Sequence, residues 1–179
     1  MSAVKNYLSL IKFSHTVFAL PFALIGFFYG IISLDRIPHV KYNHFFYNTP
    51  AKLVGLFLST NWYLLILVLL CMVFARSAAM AFNRYLDRSF DAQNPRTAIR
   101  EIPAGIISAN SALLFTIIMS ALFIITTYFI NTICFALSPV ALLVVLGYSF
   151  TKRFTPLCHL VLGLGLSLAP IGAYLAVTG

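Results

Sequence analysis

Acidic residues are scarce in this chain: Asp and Glu together number 4 in 179 residues, against 12 Lys and Arg. Charged residues of all kinds make up only 9%, where soluble domains carry about 25%. So little charge excludes a soluble globular surface. Cysteine is also sparse. Cys71, Cys134 and Cys158 follow no metal-binding or redox spacing, which leaves them as small buried hydrophobes and leaves the redox compartment unread. Repeats, low-complexity runs and soluble linkers are absent as well, so the chain reads as one helical membrane domain. The opening "MSAVKNYLSLIKFSH" carries Lys5 and Lys12 into an apolar segment without a small-residue cleavage site, so the first apolar helix is expected to stay.

What is abundant is apolar surface: 61% of residues are hydrophobic and the mean hydropathy is +0.95. A span needs about 20 mostly apolar residues, and about five such segments are predicted, over residues 13–34, 61–86, 108–130, 132–150 and 156–177. Trp62 and Tyr63 read as an interfacial belt, and Asn131 as a tight turn. Pro21, Pro139 and Pro170 lie inside spans, where neighbours can satisfy the freed carbonyls. Gly163, Gly165, Ser167 and Ala169 are expected to admit a neighbouring helix. Residues 35–60 mix aromatics, prolines and histidines and are expected to lie along the outer interface. His39 and His44 are too poorly spaced for a shared helical metal site.

The positive balance could suggest nucleic acid, but the basic residues flank spans and form no soluble face. Placing the amino terminus in the cytoplasm puts Lys5, Lys12, Arg84, Arg88, Arg96, Arg100, Lys152 and Arg153 inside, with Arg36, Lys41 and Lys52 outside. The fifth span runs into "AVTG" without a charged anchor, and the chain is expected to stop short of a complete working protein.

Charge concentrates in "NRYLDRSFDAQNPRTAIREIPAG", residues 83–105. On a helix turning about 100° per residue, Arg76, Asn83, Asp87 and Asp91 fall within a sector of about 80°. Carboxylates and an amide oxygen on one face repel unless a cation sits among them. Magnesium suits such a site, taking one or two carboxylates and completing its shell with water and substrate phosphates. Arg96 and Arg100, one turn apart if helical, supply planar forks for phosphate oxygens. A plainer reading makes this a solvated loop in which Arg84 and Asp87, or Arg88 and Asp91, pair locally. Against that stand Arg76, well inside an apolar span where charge is costly, and the polar groups that other spans deliver to the same membrane face: Tyr148 with Lys152, and His15 with Lys12.

The segments "LIKFSHTVFALPFA", "ARSAAMAFNRYLDRSFDAQNPRT", "REIPAG" and "YSFTKRFTPLCHLVLGLGLSLAPIGAYLAVTG", in this order, resemble the UbiA-type intramembrane prenyltransferases, and within them the 4-hydroxybenzoate polyprenyltransferase branch. Asn83, Asp87 and Asp91, followed by Arg96 and Thr97, match that family's first acidic motif. The resemblance implies an all-α, multi-pass transmembrane bundle of about nine helices around a cavity, of which residues 1–179 would supply about five. It also implies Mg2+ held by Asn83, Asp87 and Asp91, with Asp87 and Asp91 as the catalytic pair. Arg96, Arg100 and Lys152 would hold the diphosphate with Tyr148 assisting, and Arg76, like His15, would face acceptor or diphosphate. The implied reaction is transfer of a polyprenyl chain from polyprenyl diphosphate to an aromatic acid such as 4-hydroxybenzoate, in quinone biosynthesis. Membrane lipid surrounds the protein, the expected site being the bacterial inner membrane with the acidic motif cytoplasmic. The chain departs from the pattern in having Arg84 where some relatives have Asp, and in having no Asp or Glu after Glu101, so the second acidic motif is missing. The rival classes are a transporter, which intramembrane Arg76 would also suit, and a truncated or non-catalytic membrane subunit.

Overall fold

The structure, a computed structural model, describes residues 3–34, 50–155 and 157–179, apart from the side chains of Ala3, His15 and Phe18. Six helices follow one another: α1 (Ala3–Leu10), α2 (Phe13–Ser33), α3 (Pro50–Gln93), α4 (Ala109–Tyr128), α5 (Thr132–Thr151) and α6 (Cys158–Thr178). Among the described residues there is no strand. Apolar solvent leaves no partner for an open backbone, so helices that satisfy their own peptide groups are the expected outcome. Helices α3, α4, α5 and α6 are long and apolar enough to cross a membrane, while α2 contributes a shorter apolar run, Ala19–Ser33. The protein is a multi-pass integral membrane protein.

Four of the expected spans coincide with α2, α4, α5 and α6 to within a few residues. The span at 61–86 is longer than expected. Residues 50–60 belong to α3, so this part of the expected outer segment is helical; Asn61, at φ −120° and ψ 29°, kinks the helix there. Pro50 sits at the first helical position, where its missing N–H would have had no intrahelical acceptor in any case. Trp62 and Tyr63 follow the kink and are exposed. His39 and His44 lie outside the described residues. At the opposite end of the chain's first segment, α1 is a separate short helix, set off from α2 by Lys12, whose φ of 46° is left-handed.

Local signals fix the other ends. Ser108 caps α4 by accepting from the Ser111 N–H at 3.1 Å, and Asn131 caps α5 by accepting from the Cys134 N–H at 2.7 Å. The Asn131 amide also donates to the Leu175 carbonyl at 2.9 Å, so one side chain ties the start of α5 to the end of α6. Contacts between helix ends show α3, α4, α5 and α6 running in alternating directions: Ala81 and Ala112 pack together, Lys152 meets Asn83 and Asn131 meets Leu175. The ends of α3 and α5 and the starts of α4 and α6 therefore share one membrane face.

Two apolar clusters hold the bundle. The larger gathers Phe27 and Ile31 of α2, Phe57 and Val68 of α3, Cys134 of α5 and Ala173 of α6. The smaller packs Leu10 of α1 on Ala81, Ile107 and Ala112, with Tyr7 stacked on Phe115 at 5.0 Å. This second cluster lies beneath the charged face and docks α1 there.

The close helix approach involves different glycines from those expected. A Cβ on Gly26 would stand 2.1 Å from the Pro170 carbonyl oxygen, and one on Gly30 would stand 3.0 Å from Cβ of Val177. These residues form a G-x-x-x-G pair on α2, a spacing that lets two backbones touch. A Cβ on Gly163 would meet nothing within 4 Å, and one on Gly165 only a Val145 methyl at 3.9 Å. Gly26→Val should therefore destabilise the bundle by about 1–3 kcal/mol, while Gly163→Ala should stay within about 0.5 kcal/mol of the parent. Unfolding by SDS titration in mixed micelles measures both, and equal costs would show that α2 and α6 are not packed through Gly26.

Candidate active site

A cavity of about 490 Å³ lies between α2, α3, α4, α5 and α6. Its wall is mostly apolar, with Val68, Met72, Ile130 and Leu175 far from the charged face and Arg76, Asn83 and Tyr148 toward it. Along α3 the lining runs from Val68 to Asn83, about 22 Å at 1.5 Å per residue. The shape is a long oily slot with a polar mouth. Arg76 stands inside that slot, and its Nε is buried without a hydrogen-bond partner. A buried donor without an acceptor is costly and marks a place where a ligand could supply one.

At the mouth, α3 meets the end of α5. The Lys152 ammonium donates to both Asn83 Oδ1 and Asp87 Oδ2. Arg153 donates through Nη2 to the Leu86 carbonyl at 2.5 Å and lies 3.4 Å from Asp87 Oδ1. Asn83 is the hinge between the two environments, since it lines the cavity and also holds Lys152.

Asp91 goes elsewhere. Arg100 Nη1 reaches its two oxygens at 2.7 and 2.8 Å, and the Asp91 side chain is only 9% exposed. The Thr97 hydroxyl donates to the Asp91 carbonyl at 2.9 Å. Geometry explains the divergence. Each four-residue step along a helix advances about 40°, so Asp91 has drifted about 80° from Asn83 and stands within about 20° of Arg84. The structure thus brings Asn83, Asp87, Lys152 and Tyr148 to the cavity mouth and turns Asp91 and Arg100 onto the flank. Asn83, Asp87 and Asp91 do not converge on one point. Among the described residues, no cluster of three or more His, Cys, Asp or Glu side chains could hold a metal ion.

The connection after α3 is a run of turns and not the helix that would put Arg96 beside Arg100. The Thr97 and Ala98 N–H groups both return to the Asn94 carbonyl, at 2.9 and 2.8 Å, and Ile107 N–H reaches the Glu101 carbonyl at 3.0 Å. Gly105, at φ +73°, makes the left-handed turn that a side chain would resist. Arg96 is exposed, with its N–H on Asn94 Oδ1 at 3.0 Å. The side chain of His15 lies outside the described residues.

The local pairs of the plainer reading do not form. Arg88 donates to the Tyr85 carbonyl at 2.7 Å and lies 4.4 Å from the Tyr85 ring centroid. Arg84 is 6% exposed, with Nε and Nη1 lacking hydrogen-bond partners. Two participants escape the sequence reading: Arg153, whose signal is adjacency to Lys152, and Glu101, which accepts from the Ser9 hydroxyl at 2.5 Å and fastens α1 to the loop.

Residues 49–179 match the UbiA prenyltransferase family, and the chain belongs to it. It is 39% identical over 117 residues to the 4-hydroxybenzoate octaprenyltransferase of Aliivibrio salmonicida, a match covering 65% of this chain and 41% of that protein. The 4-hydroxybenzoate octaprenyltransferase of Photobacterium profundum is 38% identical over 120 residues, 66% of this chain and 42% of its own length. Matches to these curated relatives thus span about two fifths of their length. Among solved structures, an apo UbiA homologue from Aeropyrum pernix K1 superposes with a TM-score of 0.70 at 31% identity, over 93% of this chain and 51% of that one. A digeranylgeranylglyceryl phosphate synthase shares the fold with a TM-score of 0.75 at 20% identity, over 98% and 54%.

Because Asp91 is nearly enclosed, removing its partner should cost more than a surface ion pair would. Arg100→Met is expected to lose about 1–3 kcal/mol, with Asp91→Asn in the same chain recovering most of it. A double-mutant cycle on unfolding free energies tests this; strictly additive losses would mean that the pair does not hold the loop to α3.

Proposed function

We propose that the complete protein transfers a polyprenyl chain from its diphosphate to an aromatic acid, with 4-hydroxybenzoate the favoured acceptor, as a step in quinone biosynthesis. The observation that carries this reading is the joining of a long apolar slot to a cationic mouth through Asn83. An isoprenoid tail partitions into the slot, while a diphosphate stays among Lys152, Arg153 and the neighbouring arginines. The names and identities of the relatives support the acceptor class. The charged face is assigned to the cytoplasmic side of a bacterial inner membrane on the distribution of lysine and arginine.

A divalent cation such as Mg2+ fits the mouth in one respect. Asn83 Oδ1 and Asp87 Oδ2 already converge on a positive centre, the Lys152 ammonium, and magnesium is commonly held by one or two carboxylates together with substrate phosphate. Asn83 and Asp87 would hold the ion, with Asp91 one turn further along α3. When bound, it supplies Lewis-acid withdrawal of charge from the diphosphate.

The chain's own groups do the rest. Lys152, Arg153 and Arg96 take up negative charge as the allylic carbon–oxygen bond breaks and its electron pair leaves with the diphosphate. The slot excludes water from the allylic cation that remains. Arg76 and Tyr148 face the same space and orient the aromatic acid, Arg76 through its unpartnered Nε. The ring carbon ortho to the phenol hydroxyl then forms the new carbon–carbon bond, and that carbon's proton passes to the released diphosphate or to water at the mouth as aromaticity returns.

In membranes containing the full-length protein, Asp87→Asn should lower cation-dependent prenylation of radiolabelled 4-hydroxybenzoate by roughly 10²–10³-fold. Arg76→Ala should chiefly raise the KM for the aromatic acid. Unchanged turnover of Asp87→Asn at limiting Mg2+ would remove Asp87 from the site, and an unchanged KM would remove Arg76 from acceptor binding.

A further inference from the structure

Resting on that reading, we infer that Lys152 is an exchangeable internal counter-ion: its ammonium holds the Asn83 and Asp87 oxygens until a divalent cation displaces it, and it then moves onto the anion that arrives with the metal. The two acidic positions of the motif differ in kind. Asp91 is locked, with both oxygens on Arg100, its carbonyl on Thr97 and little exposure. Asp87 is not locked. Lys152 and Asp87 are 23% and 20% exposed at the side chain, so water and ions reach the pair.

Three features make the exchange cheap. Arg153 is anchored on the Leu86 carbonyl and stays beside Asp87 Oδ1, so the carboxylate is not left bare when Lys152 departs. The lysine ammonium is a compact charge on a flexible stem with three rotatable donors, and Asn83 and Asp87 engage only two of them. Finally, Lys152 caps the C-terminus of α5, an end that favours a cation close to it. Arg153 is held by a backbone carbonyl as well as by the carboxylate, whereas the Lys152 ammonium is held by the Asn83 and Asp87 side chains, and both cations act on the same carboxylate.

Two consequences follow from competition and linkage. The resting protein binds a divalent cation weakly, because the ion must expel an ammonium from the same oxygens. The anion, by giving that ammonium a new partner, tightens the metal, and the metal tightens the anion by the same factor.

The test uses the full-length protein in detergent, with Mn2+ as probe and bound metal counted by equilibrium dialysis, without prenyl substrate or acceptor. Lys152→Met should bind Mn2+ alone at least fivefold more tightly than the parent, and Lys152→Arg, which keeps a competing charge, within twofold of it. Inorganic pyrophosphate should tighten Mn2+ on the parent by a larger factor than on Lys152→Met. Lys152→Gln gives the same reading if the methionine variant does not fold. Mn2+ affinity unchanged or weakened in Lys152→Met and Lys152→Gln, with binding abolished in Asp87→Asn, would overturn the exchange and leave the metal site standing. Equal Mn2+ binding by the parent and Asp87→Asn would overturn the metal site itself, and the exchange with it.

Discussion

One ammonium shared by an amide and a carboxylate holds the polar end of this membrane protein to its apolar interior. A carboxylate brought to the lip of an oily cavity is tolerable only with its charge answered at close range. Lys152 and Arg153 provide that answer from α5, across the mouth from α3. Much of the surrounding architecture serves this meeting. The alternation of α3, α4 and α5 returns the C-terminus of α5 to the side where α3 ends, and the packing of Leu10 beneath Ala81 and Ile107 seats α1 against the same face.

The motif in α3 is best understood as a spiral. Its first oxygens face the slot and its last faces the loop, because a repeat of four overshoots the 3.6-residue turn. Arg84 occupies the direction toward which the spiral turns. Its burial beside Asp91, Arg100 and Glu101 gives the flank a mixed set of charges, while the slot side keeps a single carboxylate.

Much of the fold is legible in the residues, for a simple reason: in a bilayer, apolar length alone marks a helix, and four expected span boundaries lie within a few residues of α2, α4, α5 and α6. The exceptions lie where that signal weakens. Residues 50–60 contain a proline, a lysine and hydroxyl groups, yet they are helical; Pro50 at the first position is the cue that hydropathy overlooks. The G-x-x-x-G pair of Gly26 and Gly30 hides in a span whose hydrophobicity dominates, whereas Gly163 and Gly165 of α6 stand out without making the close contact. Within the site, Asn83, Asp87, Tyr148 and Lys152 can be brought together from sequence because regular helices fix their phase. Asp91's partner cannot, since Arg100 sits in a chain of turns whose path no periodicity describes. Arg153 looks like one more basic residue near the membrane surface until α5 is set against α3.

Asn131 uses both ends of its amide, one on Cys134 and one on Leu175, and so clasps α5 to α6 at the membrane face opposite the charges. A clasp there acts as a pivot. For a rigid 20-residue helix such as α5, about 30 Å long, rocking through about 5° about that end shifts the other by about 2.6 Å. On that geometry, any rocking of α5 about the clasp would change the gap least beside Asn131 and most where Lys152 meets Asp87.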